Sequence, residues 1–363
     1  MNFIKFRSVT SSKIAHFQLF ILGITICMFF TSCGGGSVPE YLREARVDVA
    51  IWTPKKEVVL EKEGLNLVKA IVPLKDSTEF MIVSGQQVCL LKNNKLNPDF
   101  KKIEPELWNL DILRNTSGEP SHIIGNGGWG KPSAAVLDIN GQLKWKKDYG
   151  YDAMGMAAIL DDGDERFVVL EKKERGLLFL SFESGEIVRE DTSKKLRVLA
   201  SADFSGDGHR EILVGLAETV FAVFDGKLKE LNKVSLSHDY WYEPIVTSAI
   251  QPFIVLSAGD VLDVYDSKLN LVKKYEAEGA LSPMHVTAAT FLGEGPDTPF
   301  AAVYEGRGGW DVSILYVFSS AGKLVYKEIL KGKSQTITSI GHGDKMEFLL
   351  GGRDEITRYS FKL

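Results

Sequence analysis

Short apolar stretches recur along the whole chain, and most of them end in glycine. Seven of them lie 40 to 47 residues apart. Each is short, rich in β-branched or aromatic residues and followed by a turn-forming residue, which is typical of a β-strand. They are Phe80–Gly85, His122–Gly125, Phe167–Leu170, Glu211–Gly215, Phe253–Gly259, Phe300–Gly306 and Glu347–Gly351.

A second repeat lies between these strands. Each of the first six stretches is followed by another apolar strand, a turn and a strand of alternating apolar and polar residues. Because Asn-Gly and Asp-Gly suit two-residue hairpins in which both central residues have positive φ, we expect such hairpins here. The turns are Asn93-Asn94, Asn140-Gly141, Ser184-Gly185, Asp225-Gly226, Ser267-Lys268 and Ala321-Gly322.

Four strands in each repeat of about 40–45 residues predict a β-propeller. We label the strands of a blade a to d from the axis outward, so that the seven stretches are b strands and the turns join c to d. The predicted fold is all-β, a seven-bladed propeller of four-stranded blades, and the pattern allows six to eight blades. A β-sandwich is the alternative, and it is disfavoured because the repeats continue to the last residue.

The seventh blade is predicted to be shared by the two ends of the chain. Residues 335–363 supply its a, b and c strands, and no d strand follows. Glu57–Glu63 reads as a spare strand, and pairing it with the C-terminal strand removes an open sheet edge. We therefore expect one propeller domain over residues 45–363, closed by its terminal strands.

The first 32 residues predict export. Three basic residues precede the apolar stretch Phe17–Phe30, and the small residues Thr31-Ser32 precede Cys33. This order is typical of a secretory signal and resembles the signal of bacterial lipoproteins. The resemblance implies a signal peptide over residues 1–32, a lipidated Cys33 carrying acyl chains such as palmitate, and a linker over residues 33–44. An uncleaved membrane anchor is the alternative, although the stretch is short for a span of about 20 residues.

The lipoprotein resemblance implies attachment to a membrane of the bacterial cell envelope. Gly34 stands where many lipoproteins that stay in the inner membrane have Asp, so the outer membrane is favoured. Without residues 1–32 the chain has 40 basic and 48 acidic residues, a net charge of −8. Nucleic acid is a disfavoured partner because its binding needs a basic surface. Cys89 lies in an apolar strand and is predicted to be a buried, unreactive thiol.

Blade four contains a candidate calcium loop. Oxygen-bearing residues alternate along the nine positions from Asp203 to Glu211. This segment resembles the calcium loops of FG-GAP and VCBS-like repeats, as in the N-terminal propeller of integrin α-chains, although Glu211 replaces the usual Asp. The resemblance implies calcium as a candidate cofactor, since hard cations prefer several oxygens. Its ligands would be Asp203, Ser205, Asp207, the His209 carbonyl and Glu211. A turn held by Asx hydrogen bonds is the alternative, and it is favoured for the shorter versions at Asp161–Glu165 and Gly293–Asp297.

A second resemblance concerns the hairpin of blade two. Asp138–Trp145 is similar to the c–d hairpin of PQQ-like repeats, in which a Trp at the position of Trp145 docks one blade on the next. The other blades lack this Trp. The overall pattern also resembles the propeller lipoproteins that help to assemble outer-membrane β-barrels, which have eight blades.

Several aromatic residues are predicted to share one face of the ring. The b–c and d–a loops of a propeller lie on the same face, which we call the loop face. The b–c loops of blades two and six both contain Gly-Gly-Trp, with Trp129 and Trp310, and the d–a loops add Tyr151, Trp241 and Tyr242. Because such residues are enriched at interfaces, these five are the candidate partner-binding residues. Packing of each Trp against its own blade is the alternative.

These observations predict a lipid-anchored envelope propeller that acts as a non-catalytic binding or scaffold protein. Another envelope protein is the expected partner, with a glycan as second choice. No catalytic residue is assigned, because Gly125–Gly130 fits G-x-G-x-x-G but precedes a strand rather than the required helix. Two alternatives stay open: an outer-membrane protein assembly factor, and a hydrolase or lyase with an acidic site at the axial mouth. Inward acids with raised pKa would favour the enzyme.

Overall fold

The computed structural model describes residues 51–362 with some gaps. The gaps are 75–78, 86, 93–94, 97–100, 104–105, 116–117, 128–132, 150–152, 173–175, 194–195, 218, 237–243, 248–251, 278–284, 306–311 and 342–344. Cys33, the predicted signal peptide and the linker therefore lie outside the described residues. The described part of the chain is built from 29 β-strands, and it includes no helix that could cross a membrane.

The strands form seven antiparallel sheets that follow one another along the chain. Blade one comprises β2 (Val68–Pro73), β3 (Glu79–Ser84), β4 (Gln87–Lys92), β5 (Lys95–Leu96) and β6 (Lys101–Lys102); blade two β7 (Leu107–Arg114), β8 (Pro120–Gly127), β9 (Ser133–Asp138) and β10 (Leu143–Asp148); blade three β11 (Ala153–Asp162), β12 (Glu165–Lys172), β13 (Gly176–Ser181) and β14 (Ile187–Asp191); and blade four β15 (Arg197–Ala202), β16 (Glu211–Ala217), β17 (Val220–Phe224) and β18 (Glu230–Ser235). Blade five comprises β19 (Ile245–Val246), β20 (Ile254–Ala258), β21 (Val261–Tyr265) and β22 (Leu271–Glu276); blade six β23 (His285–Phe291), β24 (Phe300–Glu305), β25 (Val312–Phe318) and β26 (Leu324–Lys331); and blade seven β27 (Ser334–Ser339), β28 (Met346–Gly352), β29 (Glu355–Phe361) and β1 (Lys55–Glu61).

The predicted seven-bladed propeller and its closure are confirmed. All seven predicted b strands are the second strands of their blades. The N-terminal strand β1 pairs antiparallel with β29, from Lys55 opposite Ser360 to Glu61 opposite Glu355. Blade one departs from the regular pattern, because its outer strand consists of two short pieces, β5 and β6, that both pair with β4.

Apolar residues are buried between blades rather than within them. Each sheet is buried on both sides, so its inner strands are almost continuously apolar; the burial of β25 is complete along its whole length. The buried residues form seven clusters, one for each pair of neighbouring blades. Cys89 lies in the cluster between blades seven and one, and its burial raises the pKa of its thiol to about 12. The prediction of a buried thiol is confirmed.

The c–d hairpins differ from the two-residue turns predicted from the sequence. In the c–d hairpin of blade two, Gly141 alone has positive φ, and the Asp138 carboxylate accepts hydrogen bonds from the backbone N–H groups of Asn140 and Gln142. The same arrangement recurs at Asp225 and Asp266, where Leu228 and Leu269 take the positive φ. These are type I turns followed by one left-handed residue, so the d strand contains an extra residue. The prediction failed because it required positive φ at both residues of a pair, whereas an initial Asp sets a turn in which only the third residue after it has positive φ.

One position on the outer strand links successive blades. Trp145 Nε1 donates to the Phe182 carbonyl of blade three at 2.8 Å. Arg189 donates to the Gly226 carbonyl of blade four at 2.9 Å, and Lys273 donates to the Ser320 carbonyl of blade six at 2.8 Å. Each of these donors follows the left-handed residue of its own hairpin by four positions. The sequence analysis recognised this position only in blade two, since an Arg and a Lys perform the same contact elsewhere.

Candidate functional site

The seven inner strands surround a wide axial channel. Its volume is about 3370 Å³, and it is lined by the a strands of all seven blades. Antiparallel order places the a–b and c–d connections on one face of the ring, which we call the hairpin face, and the b–c and d–a connections on the loop face. The channel therefore joins the candidate calcium loop, an a–b connection, to the face that is predicted to bind a partner.

Charged side chains near the hairpin face are paired. Arg210 donates to the Asp111 carboxylate at 2.7 Å and to the Ser201 hydroxyl at 2.8 Å. Asp161, which is 6% exposed, accepts from Arg166 Nε at 2.6 Å and from the Arg210 backbone N–H at 2.9 Å. The inward carboxylates of blades two and three are thus held by arginines, Asp161 by Arg166 of its own blade and Asp111 by Arg210 of blade four.

A hydrogen-bonded chain of side chains lies at the loop-face end of the channel. Lys69 Nζ donates to Gln335 Oε1 at 2.6 Å, and Gln335 Nε2 donates to Glu305 Oε2 at 2.7 Å. The other carboxylate oxygen, Glu305 Oε1, accepts from Lys333 Nζ at 2.5 Å. These residues belong to blades one, six and seven, and Glu305 is buried. The sequence analysis missed this group because its members are far apart along the chain.

The candidate calcium loop brings three carboxylates together. Asp203, Asp207 and Glu211 each have a carboxylate oxygen within 4.8 Å of the others. The Ser205 backbone N–H donates to Glu211 at 3.2 Å. The hydrogen bond from the His209 backbone lowers the pKa of Asp207, the Ser205 side chain lowers it further, and that side chain also opposes the rise that burial causes in the pKa of Glu211. The His209 backbone N–H donates to Asp207 at 2.8 Å. Three of the five predicted ligands, Asp203, Asp207 and Glu211, therefore contribute side chains that lie next to one another.

The same carboxylates also shape the loop through the backbone. Asp203 accepts from the N–H groups of Gly206, Asp207 and Gly208 at 2.6, 3.1 and 2.9 Å. Glu211 accepts from the N–H of Phe204 at 2.7 Å. Burial raises the pKa of Glu211 above its usual range, against the opposing effect of its hydrogen bonds. These hydrogen bonds account for the loop's shape. Three carboxylates so close together repel one another at neutral pH, and a bound cation would relieve that repulsion.

The candidate partner-binding residues Trp129, Trp310, Tyr151, Trp241 and Tyr242 lie outside the described residues. The strands that flank them are described. β8 ends at Gly127 and β9 begins at Ser133, while β24 ends at Glu305 and β25 begins at Val312. Both Gly-Gly-Trp segments thus start and end on the loop face, in blades that lie nearly opposite each other in a ring of seven.

Comparison with known proteins supports the fold. No family model matches the chain, and no curated protein matches it. Among solved structures, the crystal structure of Chaetomium thermophilum Raptor is similar, with a TM-score of 0.56 and 12% sequence identity. The match covers 90% of this chain and 31% of the Raptor chain, so this chain spans less than a third of that protein's length. At this identity the likeness shows a shared fold alone.

Proposed function

We propose that this protein is a lipid-anchored β-propeller of the bacterial cell envelope that binds a partner protein on its loop face. The observation that carries the proposal is the strand direction in blades two and six, which starts and ends both Gly-Gly-Trp segments on that face. Trp129, Trp310, Tyr151, Trp241 and Tyr242 would supply the contact surface. Lipid on Cys33 would hold the protein to a membrane, with the outer membrane favoured.

The channel chemistry supports binding over catalysis. A hydrolase or lyase needs a carboxyl group whose pKa is raised so that it can donate a proton. Of the described acids that line the channel, buried Asp161 is bonded to Arg166 and half-buried Asp111 to Arg210. Buried Glu305 is bonded to the lining residue Lys333. Each of these carboxylates is thus engaged by a cationic side chain of the propeller itself, which suits a structural role. A role in outer-membrane protein assembly rests on the lipoprotein resemblance.

We expect the tryptophans to contact the partner directly. A photocrosslinking amino acid at position 129 or 310 should capture one protein in native cells, whereas the same group at Lys227, exposed on the hairpin face, should not. Trp129→Ala with Trp310→Ala should then weaken capture by well over tenfold, because truncating an interface anchor commonly costs about 2 kcal/mol or more. The melting curve of the double variant should match the wild type. Normal capture by a folded double variant would make these tryptophans packing residues.

The same cells test the anchor. Cys33→Ala should abolish acyl-chain labelling and release the protein from the membrane fraction. Cys27→Ala, which changes another cysteine in the same segment, should keep both. Undiminished labelling of the Cys33→Ala variant would contradict the lipoprotein assignment and leave the loop-face proposal standing.

A second proposal is that blade four binds calcium. The convergence of Asp203, Asp207 and Glu211 within 4.8 Å favours it, with Ser205 and the His209 carbonyl as further ligands. Calcium at a hundredfold excess over its Kd should stabilise the fold by about 2.7 kcal/mol. Because burial raises the Glu211 pKa, protonation competes with calcium, so the rise in melting temperature should shrink as the pH falls from neutral through this raised pKa.

Two controls keep the calcium test specific. Asp207→Asn should remove the calcium-dependent rise, whereas Asp164→Asn in the shorter loop of blade three should keep it. A wild-type melting temperature that neither calcium nor a chelator changes would make the loop an ordinary turn.

A further inference from the structure

The loop-face mouth of the channel carries a group of cations that we call the cationic recess. Lys69, Lys333 and Arg353 line this end of the channel together with the acid Glu106. The buried acid Glu305 belongs to the same group because it accepts a hydrogen bond from Lys333 at 2.5 Å. Lys69 belongs to β2, Lys333 precedes β27, and Arg353 lies in the b–c connection of blade seven, where it forms a backbone bridge with Leu67. Blades one and seven thus place cations on one side of one mouth.

The acids of the recess do not contact the Lys69 ammonium. Both oxygens of Glu305 are used, one by Lys333 and the other by the amide of Gln335. Gln335 in turn presents its carbonyl oxygen to Lys69. A neutral amide therefore stands between the buried carboxylate and the ammonium, so that Glu305 orients Lys69 through Gln335 rather than by direct contact.

Lys69 has capacity for a further partner. An ammonium group has three donors, and among the described residues Gln335 is the acceptor that Lys69 reaches. Burial lowers the Lys69 pKa, as does the nearby charge of Lys333, while Glu305 and Glu106 act in the opposite direction. An anion against this ammonium would replace the water that burial removes and would stabilise its charge.

The charge balance selects the kind of anion. The recess has three cations and two acids, and thus one uncompensated positive charge. A carboxylate carries one negative charge and would neutralise it, whereas a phosphate dianion would leave a negative charge in a partly buried site, which is unfavourable. We propose that the cationic recess binds a single carboxylate presented by an acidic side chain of the partner protein that docks on the loop face. This inference rests on the proposed function, which it deepens.

The position of Lys69 suits such a contact. It is the second residue of β2, and strands rise about 3.3 Å per residue, so its backbone lies one step below the rim. An aspartate or glutamate on a loop that rests on the rim is long enough to reach it. The recess lies beside the start of the second Gly-Gly-Trp segment, because that segment follows β24 and Glu305 is the last residue of β24.

The test uses a peptide rather than the partner. The probes are N-acetyl-Gly-Glu-Gly-amide, its glutamine counterpart and inorganic phosphate, at equal ionic strength, with the whole mature protein. Mass spectrometry measures the rate at which a mild acetylating reagent modifies each lysine. The glutamate peptide should slow acetylation of Lys69 in a saturable way, and the glutamine peptide should not. Lys268, exposed on a hairpin of the opposite face, should react at an unchanged rate with every probe.

Variants assign the effect to the recess. Lys333→Met and Arg353→Gln should each weaken protection of Lys69 by about tenfold, the factor that corresponds to 1.4 kcal/mol. Lys268→Met should leave it unchanged. Arg353 is exposed, so Arg353→Gln should fold normally. It therefore tests the recess even if Lys333→Met fails to fold. Equal protection by the glutamate and glutamine peptides would overturn carboxylate recognition, and stronger protection by phosphate would overturn the choice of a monoanion.

The two proposals fail separately. If the glutamate peptide protects Lys69 but the Trp129→Ala/Trp310→Ala variant still captures the partner, the proposed carboxylate site is supported and the proposed aromatic contact is wrong. If that variant loses capture but the peptide does not protect Lys69, partner binding on the loop face is supported and the proposed carboxylate site in the cationic recess is wrong.

Discussion

Deletion of residues 45–63 is expected to lower the free energy of unfolding by several kcal/mol. The deletion removes β1 and therefore the whole backbone ladder to β29. It also removes Leu60, which is 2% exposed in the cluster between blades seven and one, and Trp52, which packs against Phe361 with ring centroids 6.0 Å apart. Full burial of one such side chain contributes about 1.5–3 kcal/mol, and a typical domain is stable by only about 5–15 kcal/mol.

Urea denaturation of the truncated and complete mature proteins checks this expectation. Deletion of residues 34–44, the predicted linker, is the matched control and should leave the midpoint unchanged. A synthetic peptide of residues 49–63 should restore the stability of the truncated protein as its concentration rises, because a segment that binds only the folded state stabilises it by mass action.

Two point variants on β1 separate burial from the presence of the strand. Leu60→Ala should cost about 2–5 kcal/mol, as for other buried leucines. Val58→Ala, two residues away and 53% exposed, should cost far less. A truncated protein with the wild-type midpoint, or equal effects of Leu60→Ala and Val58→Ala, would contradict closure by the N-terminal strand.

The blades were predictable because each repeats a local pattern. A b strand buried on both sides must be a continuous apolar stretch, as Phe300–Glu305 is, and the repeat of this signal gives the blade count. Closure was predictable too, since a missing strand at one end matched a spare strand at the other. The hairpin type was not, because Leu228 and Leu269 adopt positive φ where local sequence favours Gly.

The channel residues could not be predicted from sequence spacing. Lys69 and Gln335 are 266 residues apart and meet because blades one and seven are neighbours only after the ring closes. Arg210 and Asp111, 99 residues apart, likewise meet across three blades. The candidate calcium loop lies within nine residues, so the grouping of its carboxylates was visible in the sequence. Contacts across the ring depend on blade order and register, neither of which a single strand encodes.

The binding proposals agree with the distribution of charge along the channel. Toward the hairpin face, acids such as Asp164, Glu183 and Asp203 line the channel alongside paired arginines, whereas the loop-face mouth has more cations than acids. Although the chain has a net charge of −5, one end of its channel therefore offers an acidic partner a favourable approach. The aromatic residues predicted for that face would surround this mouth.

Gly185→Ala is expected to destabilise the fold through a clash that depends on Trp145. Gly185 has a φ of +69°, and a Cβ there would lie 2.6 Å from Trp145 Cε3. The indole cannot move away easily, because it is 8% exposed and its Nε1 is bonded to the Phe182 carbonyl. We expect Gly185→Ala to cost the strain of positive φ, about 1–2 kcal/mol, together with the energy of displacing the ring. Trp145→Ala alone should cost about 3–5 kcal/mol, as for other large buried aromatic residues.

A double-mutant cycle measured by urea denaturation isolates the clash. Gly163→Ala is the matched control, because Gly163 has a φ of +61° and a Cβ added there would have no atom within 4 Å. In the wild-type background Gly185→Ala should cost more than Gly163→Ala, and in the Trp145→Ala background the two should cost the same. That convergence is expected because removal of the indole leaves only backbone strain at both glycines. If the excess cost of Gly185→Ala persisted without the indole, the contact between blades two and three would have another basis than the packing of Trp145 on this glycine.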